Sequence, residues 1–336
     1  MLATFALPAS CDLALAPRAA TLRVRSADEL RHALRQSRDR PLTVDASALD
    51  RVLRLDAARE LIEVQAATTW AALAGYLSAR GLEPFAACEG LPAGIGDAVS
   101  RNAAGPDGLP VSAHVAALTL VTPEGELRRA DRELNAKLFA LVLGGQGLFG
   151  VLYSVTLRID SLERSARAAQ ACAELELAPP PTAGVPASEL ECLLPPEQLE
   201  RFLAAVRALA GEQRLALHSI TVRRLLPEAD SRLRWATREW AGVRLRFSPR
   251  ATLGAAVRAA EVRRLLLGLA LEHGGSFPAC DSRDASREQL EACYPMLAAF
   301  LAEQRRVDPG ERLQCEWLRQ VRAALRREAC AVRWGA

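Results

Sequence analysis

The 336-residue chain has a single lysine, Lys137, among 43 basic residues, so a site that needs a titratable amine has one candidate position. Aromatic residues make up only 5% of the chain, which leaves Leu, Ala and Val to build the core. The eight cysteines, at 11, 88, 172, 192, 280, 293, 315 and 330, include no Cys-x-x-Cys pair. The four histidines (32, 114, 218 and 273) stand apart from them in sequence, which argues against a zinc site. The cysteines read as thiols of a reduced compartment. Long hydrophobic runs are missing too. The longest, Leu265 to Leu271, is far too short to cross a bilayer. Pro8 and Pro17 break the apolar start, which has no basic n-region, so it does not read as a signal peptide. The expectation is a cytoplasmic protein with no transmembrane segment. A formal charge of +3, spread evenly, offers no basic stripe to nucleic acid.

What is present suits a folded chain of two domains: 50% of residues are hydrophobic. Ser26-Ala27-Asp28-Glu29 marks a helix start, with Leu30, Ala33 and Leu34 on one face. Strands are expected at Leu42 to Val44, Val52 to Asp56 and Leu61 to Ala66. A helix capped by Thr68 or Thr69 should run to Arg80 and stop at Gly81. Gly90 to Gly108 reads as turn-rich. A hairpin follows through Pro123-Glu124-Gly125, then a short helix from Asn135 to Leu143 and an alternating strand from Val151 to Ile159. A proline- and alanine-rich interval places a linker at 161–187 between an N-terminal domain, 1–160, and a second domain, 188–280. The second domain reads as alternating strands and helices, including a helix from Glu228 to Trp240 and a last strand from Ser276 to Ala279. This order predicts an α+β fold, with an antiparallel, ferredoxin-like sheet covered by helices on one face. A helical segment, 281–336, closes the chain.

Two glycine clusters flank the hairpin: Gly94-Ile95-Gly96-Asp97-Ala98 running on to Asn102 and Gly105, and Gly144-Gly145-Gln146-Gly147-Leu148-Phe149-Gly150-Val151. Such clusters let backbone N–H groups approach a ligand. The second cluster also reads as a helix stop and turn. With the Ser26–Leu30, Val44–Val52 and Glu63–Trp70 segments, their serial order resembles the flavin domain of the vanillyl-alcohol oxidase / p-cresol methylhydroxylase superfamily. The ending, Gly274-Gly275-Ser276-Phe277 followed by Tyr294-Pro295, Phe300 and Arg306-Val307-Asp308-Pro309, looks like the aldonolactone-oxidase and decaprenylphosphoryl-ribose-oxidase branches.

The resemblance implies a two-lobed flavin-oxidase fold, an N-terminal FAD-type domain with an antiparallel substrate domain, and a C-terminal segment that returns to the FAD domain. It implies non-covalent FAD as cofactor. Gly94, Ile95, Gly96, Asp97 and Ala98 would follow the pyrophosphate and ribityl chain. Asn102 and Gly105 would lie near the isoalloxazine, Val151 would present its backbone to the adenine, Gly147 and Gly150 would also contact the cofactor, and His114 would face the flavin. A lone histidine beside Val115 also reads as a structural group. The family's pyrophosphate element, a strand and a glycine-rich turn, has no counterpart: Ser37-Arg38-Asp39-Arg40-Pro41 leads straight into Leu42. Asp97 replaces a family glycine, and the tail lysine of the ribose-oxidase branch gives way to Cys280-Asp281. Arg38, Arg40 or Arg101 could supply phosphate contacts instead. Two functions follow. One is an FAD-dependent oxidoreductase that takes hydride from a hydroxyl- or lactone-bearing small molecule. The other is a flavin-free relative, a pseudo-enzyme acting as a binding or partner subunit.

Overall fold

The computed structural model describes residues 20–36, 42–82, 91–168, 173–176, 188–248 and 255–331. The chain opens with β1 (Ala20–Arg23), α1 (Ala27–Gln36) and β2 (Leu42–Asp45), and the two strands pair in parallel. Helix α1 starts where the sequence signals it. Ser26 Oγ accepts from the Glu29 N–H at 3.1 Å, and the Glu29 carboxylate accepts from the Arg25 N–H at 2.8 Å. Its buried Leu30, Ala33 and Leu34 form a small core with Val24, Leu49 and Val121. The segment 37–41, with Arg38 and Arg40, lies outside the described residues.

The larger N-terminal unit consists of β3 (Val52–Asp56), β4 (Leu61–Gln65), α2 (Trp70–Ser78), α3 (Ile95–Arg101), β5 (Val115–Val121), β6 (Leu127–Asp131), α4 (Ala136–Val142), β7 (Val151–Arg158) and α5 (Ile159–Ala168). Its strands form one antiparallel sheet in the order β3-β4-β7-β5-β6. Thr69 Oγ1 caps α2 by accepting from the Ala72 N–H at 3.1 Å. The hairpin turn needs Gly125: its φ is +79°, and a Cβ there would lie 2.5 Å from Arg35 Cγ of α1.

The second unit consists of β8 (Ala173–Glu176), β9 (Ser188–Leu194), α6 (Leu199–Glu212), β10 (Ala216–Leu225), β11 (Trp240–Ser248) and α7 (Ala255–Glu272). The sheet is antiparallel throughout, in the order β8-β10-β11-β9. Val243, Leu245 and Phe247 alternate along β11 and are fully buried. Helix α7 packs on β9, and α6 packs on α7. Three helices follow: α8 (Arg287–Cys293), α9 (Leu297–Val307) and α10 (Glu316–Ala331). Antiparallel sheets with segregated helices make this an α+β fold. Among the described residues, no helix is long and apolar enough to cross a membrane.

The structure departs from the sequence expectations in four places. The interval 161–187, read as a linker, contains most of α5 and the strand β8. Gly90 to Gly108 is not all turn, because Ile95–Arg101 is helical. Glu228 to Trp240 is not a helix. Its backbone is held locally: Glu228 Oε2 accepts from the N–H groups of Asp230 at 2.6 Å and Ser231 at 2.9 Å. Ser276 to Ala279 is not a full strand. It makes one antiparallel bridge, Leu193 to Ser276, and then enters a short 3₁₀ turn over Ala279–Asp281.

The connection between α9 and α10 packs back on the small core of α1. Leu313 joins the small core of α1. Arg312, 8% exposed, donates to the carbonyls of Leu34 at 3.0 Å and Pro123 at 2.7 Å.

Candidate functional site

Helix α3 is the spine of the site. It buries Ile95, Ala98 and Val99 and turns Asp97, Ser100 and Arg101 outward at i, i+3 and i+4. Arg101 Nε donates to Asp97 Oδ1 at 2.8 Å, and both side chains are about half exposed. The first turn is pinned to the neighbouring loop: the Ile95 N–H donates to Thr68 O at 3.0 Å and the Gly96 N–H to Ala66 O at 2.7 Å. The helix ends at Asn102, fully buried with φ +48°. Its Oδ1 accepts from the Ser112 N–H at 3.1 Å and its carbonyl accepts from Trp235 Nε1 at 3.0 Å.

Three recesses adjoin the outer face of α3, and Asp97 lines all of them. The first, about 360 Å³, lies between the start of α3 and the Ala46–Ser47 and Ala66–Thr69 segments. The second, about 590 Å³, lies between Arg101, the Gln146–Gly147 turn and the start of α10. The third, about 460 Å³, is a cleft between α3 and the second sheet. The recesses are neighbours: the first two share Ser100, and the last two share Arg101 and Cys280.

The glycines fall into two groups. A Cβ on Gly147 would meet nothing within 4 Å, and one on Gly94 would meet only Ala66 O at 4.0 Å, so both leave open space beside the groove. The others are small for packing reasons. A Cβ would lie 2.7 Å from Ala66 O at Gly96, 2.9 Å from Asp107 Oδ1 at Gly105, and 2.5 Å from Leu120 Cδ1 at Gly150.

The expected residues are therefore brought together only in part. Gly94, Gly96, Asp97, Asn102 and Gly147 line the recesses. Ile95 and Ala98 lie beneath, in the core. Val151 packs beside the small core of α1. His114 is buried away from the groove. Its Nδ1 is 2.8 Å from Ser161 Oγ and its Nε2 3.5 Å from Asp107 Oδ2. Burial opposes ionisation of Asp107, but its contacts with His114, Ser165 and the Leu109 N–H together outweigh that and hold the carboxyl below its usual range.

The cleft carries charged groups that the sequence did not single out. Glu191 of β9 is 7% exposed and takes a bidentate pair from Arg223 of β10, with Nε to Oε1 at 2.9 Å and Nη2 to Oε2 at 3.0 Å. Arg244 of β11 stands directly across from Glu191 in the strand register, its Nη2 3.9 Å from Oε2. Arg223 Nη1 also reaches Ala104 O at 3.3 Å, joining the two units. Asp281 and Cys280 form the far wall. Burial, then the negative charge of Glu191, pushes the Asp281 carboxyl up to about 7. Burial and the adjacent Asp281 push the Cys280 thiol well above its usual range, as befits a plain thiol. The one available signal was a charged residue set between buried neighbours: Glu191 lies between Leu190 and Cys192, and Arg244 between Val243 and Leu245, so both take the opposite face of the sheet.

Residues 18–131 match the family model for the FAD binding domain. This segment contains α3, the first glycine cluster and the strands that position them. The N-terminal unit carries an FAD-binding domain. Over 112 residues the chain is 27% identical to cytokinin dehydrogenase 2 of Arabidopsis thaliana. That alignment covers 32% of this chain and 22% of the relative, so the chain spans about a fifth of the relative's length in the match. Both findings support the flavin-oxidase superfamily that the motif order resembles. The open faces of Gly94 and Gly147 fit FAD: Gly94 lines the first recess and Gly147 the second, both beside α3. Arg101 and Arg283 add guanidinium charge beside the middle recess.

Proposed function

We propose that the protein is an FAD-dependent oxidoreductase that oxidises a hydroxyl- or lactone-bearing small molecule, as in the aldonolactone-oxidase and decaprenylphosphoryl-ribose-oxidase branches its ending resembles. One observation carries the reading: within the FAD-binding domain, the outer face of α3 lines three neighbouring recesses, one of them a charged cleft against the second sheet. FAD, when bound, supplies the hydride acceptor. The chain's own residues do the rest. Gly94 and Gly147 give the cofactor room, Gly96, Ile95 and Ala98 hold the helix in place beneath it, and Asn102 and Gly105 fix the end nearest the cleft. Arg101 and Arg283 offset phosphate charge, which Asp97 opposes. The groups of β9, β10 and β11 bind and orient the substrate.

The second reading is a flavin-free binding or partner subunit. The sequence between Gln36 and Leu42, which has no glycine to turn around a diphosphate, favours it. Absorption of the purified protein, before and after incubation with excess FAD, decides between them. A bound-flavin band with visible fine structure supports the oxidoreductase. Protein that stays colourless and takes up no FAD overturns it and leaves the partner subunit.

A further inference from the structure

We propose that Asp281 accepts the substrate's hydroxyl proton in the cleft, and that Arg244 holds the oxygen from which that proton leaves. The proposal rests on the flavin reading above and names the reacting groups of that same site. It starts from the carboxylates that line the cleft. Asp97 is engaged by Arg101 at 2.8 Å, and Glu191 is engaged twice by Arg223. Glu189 lies at the rim, 60% exposed and 3.8 Å from Arg246. Asp281 differs from all three. Among the described residues its carboxylate has one hydrogen-bond donor, the Cys280 thiol at 3.8 Å, so its oxygens remain available to a ligand. Arg244 is similarly uncommitted, at 3.9 Å from the already paired Glu191. An acceptor and a donor thus line one cleft whose opposite wall is α3 of the FAD-binding domain.

The surroundings suit a proton acceptor that works near neutrality. Burial comes first, and Glu191 on β9 adds to it; both disfavour the carboxylate. Arg263 of α7 and Arg244 of β11 partly restore it. Arg101 on α3 and the buried Cys192 and Tyr294 also face this region. A base is most effective when its own proton affinity lies near the working pH. In the reaction, the substrate C–H bond breaks and its two electrons leave with the hydrogen as hydride to oxidised flavin. The O–H bond breaks and its proton passes to the Asp281 carboxylate. A C=O bond forms, the flavin is reduced by two electrons, and the proton on Asp281 later leaves to solvent.

The test uses the full chain, labelled with ¹³C at aspartate carboxyls and titrated by NMR as parent and as Asp281→Asn. One carboxyl resonance should titrate near pH 7 in the parent and be missing in the variant. Adding FAD should shift that resonance, and the bound flavin's spectrum should change with the same midpoint in the parent but not in the variant. Anaerobic bleaching of the flavin by a panel of primary and secondary alcohols should rise between pH 6 and 8 in the parent, and should fall at least 100-fold in Asp281→Asn. The proposal is overturned if no carboxyl titrates above pH 6, if bound FAD leaves the resonance unmoved, or if the variant bleaches like the parent. Protein that takes up no FAD fails at an earlier and separate step. That result overturns the flavin reading together with this one.

Discussion

The indole N–H of Trp235 donates to the main-chain carbonyl of Asn102 at 3.0 Å, tying the loop between β10 and β11 to the last turn of α3. Further bonds run in parallel. The Arg232 N–H donates to Ala140 O at 2.8 Å, and Arg132 holds Asp230 with two hydrogen bonds, at 3.0 and 2.7 Å. This loop fixes the spacing between the two walls of the cleft. Gly108 does the same at the end of β10: a Cβ there would sit 2.3 Å from Arg224 O.

Replacing Trp235 by Phe keeps most of the buried surface and removes the donor. The Asn102 carbonyl is then left buried without it, which costs about 2 kcal/mol. Chemical denaturation should show that loss. FAD affinity should fall with it, because Asn102 closes the helix that lines the groove. Unchanged stability would mean that the loop is held by its other bonds alone.

The sequence makes most strands legible and most of the cleft illegible, for different reasons. Alternation gives β7 and β11, as where Val243, Leu245 and Phe247 are buried and Arg244 and Arg246 between them are not; β9 instead buries Leu190 to Leu194 in succession. Helix α3 escapes because seven residues flanked and interrupted by Gly94 and Gly96 carry too little periodicity. Leu233, Ala236 and Trp240 mimic a helical face, yet Leu233 and Ala236 are buried in a loop that docks on the first unit and Trp240 already begins β11. Glu191, Arg223 and Arg244 meet only through the pairing of three strands distant in sequence. No local pattern encodes that register. The glycine clusters were visible, but only the packing around each one separates Gly94 and Gly147 from glycines that make room for neighbouring chain.

Asp97 and Arg101 form an ion pair at 2.8 Å on the face that adjoins all three recesses. Exposed at roughly half, the pair itself contributes little to stability. Its effect should appear in cofactor binding. Arg101→Ala removes a charge-assisted contact worth roughly 1.5–3 kcal/mol, weakening FAD about tenfold or more. Asp97→Asn should tighten FAD by roughly threefold to tenfold, since it removes a like charge and frees the guanidinium. In a double-mutant cycle the arginine should count for more once Asp97 is gone. Additive effects by FAD titration would place the diphosphate away from this pair.

Arg312 should be a large structural contributor for its size. It bridges Leu34, Pro123 and the fully buried Asp308, whose Oδ2 also accepts from the Leu313 N–H at 2.8 Å. Arg312→Ala strands that buried charge and should cost about 3–5 kcal/mol. Arg312→Lys should rescue little, because an ammonium cannot reach three acceptors spread across a guanidinium fork. Limited proteolysis should then cut first near the β1–α1–β2 segment. Resistance equal to the parent would show that Leu313 packing alone holds the α9–α10 connection against α1.

Asp281 carries a stability signature separate from any chemistry. Its carboxyl is raised from 3.8 to about 7 in the folded protein, so the folded chain keeps a proton that the unfolded chain gives up between about pH 4 and 7. Stability from this group is therefore complete below pH 4 and is lost as pH rises through about 7. Asp281→Asn does not titrate. Its stability relative to the parent should rise across that window by about 1–3 kcal/mol, less than the full shift implies because the group is partly solvated. Urea melts of both proteins at pH 5 and pH 8 measure it. A difference that stays flat, or shrinks toward pH 8, would mean that Asp281 is ionised at neutral pH like an ordinary surface aspartate and that Arg244 and Arg263 outweigh Glu191 and burial.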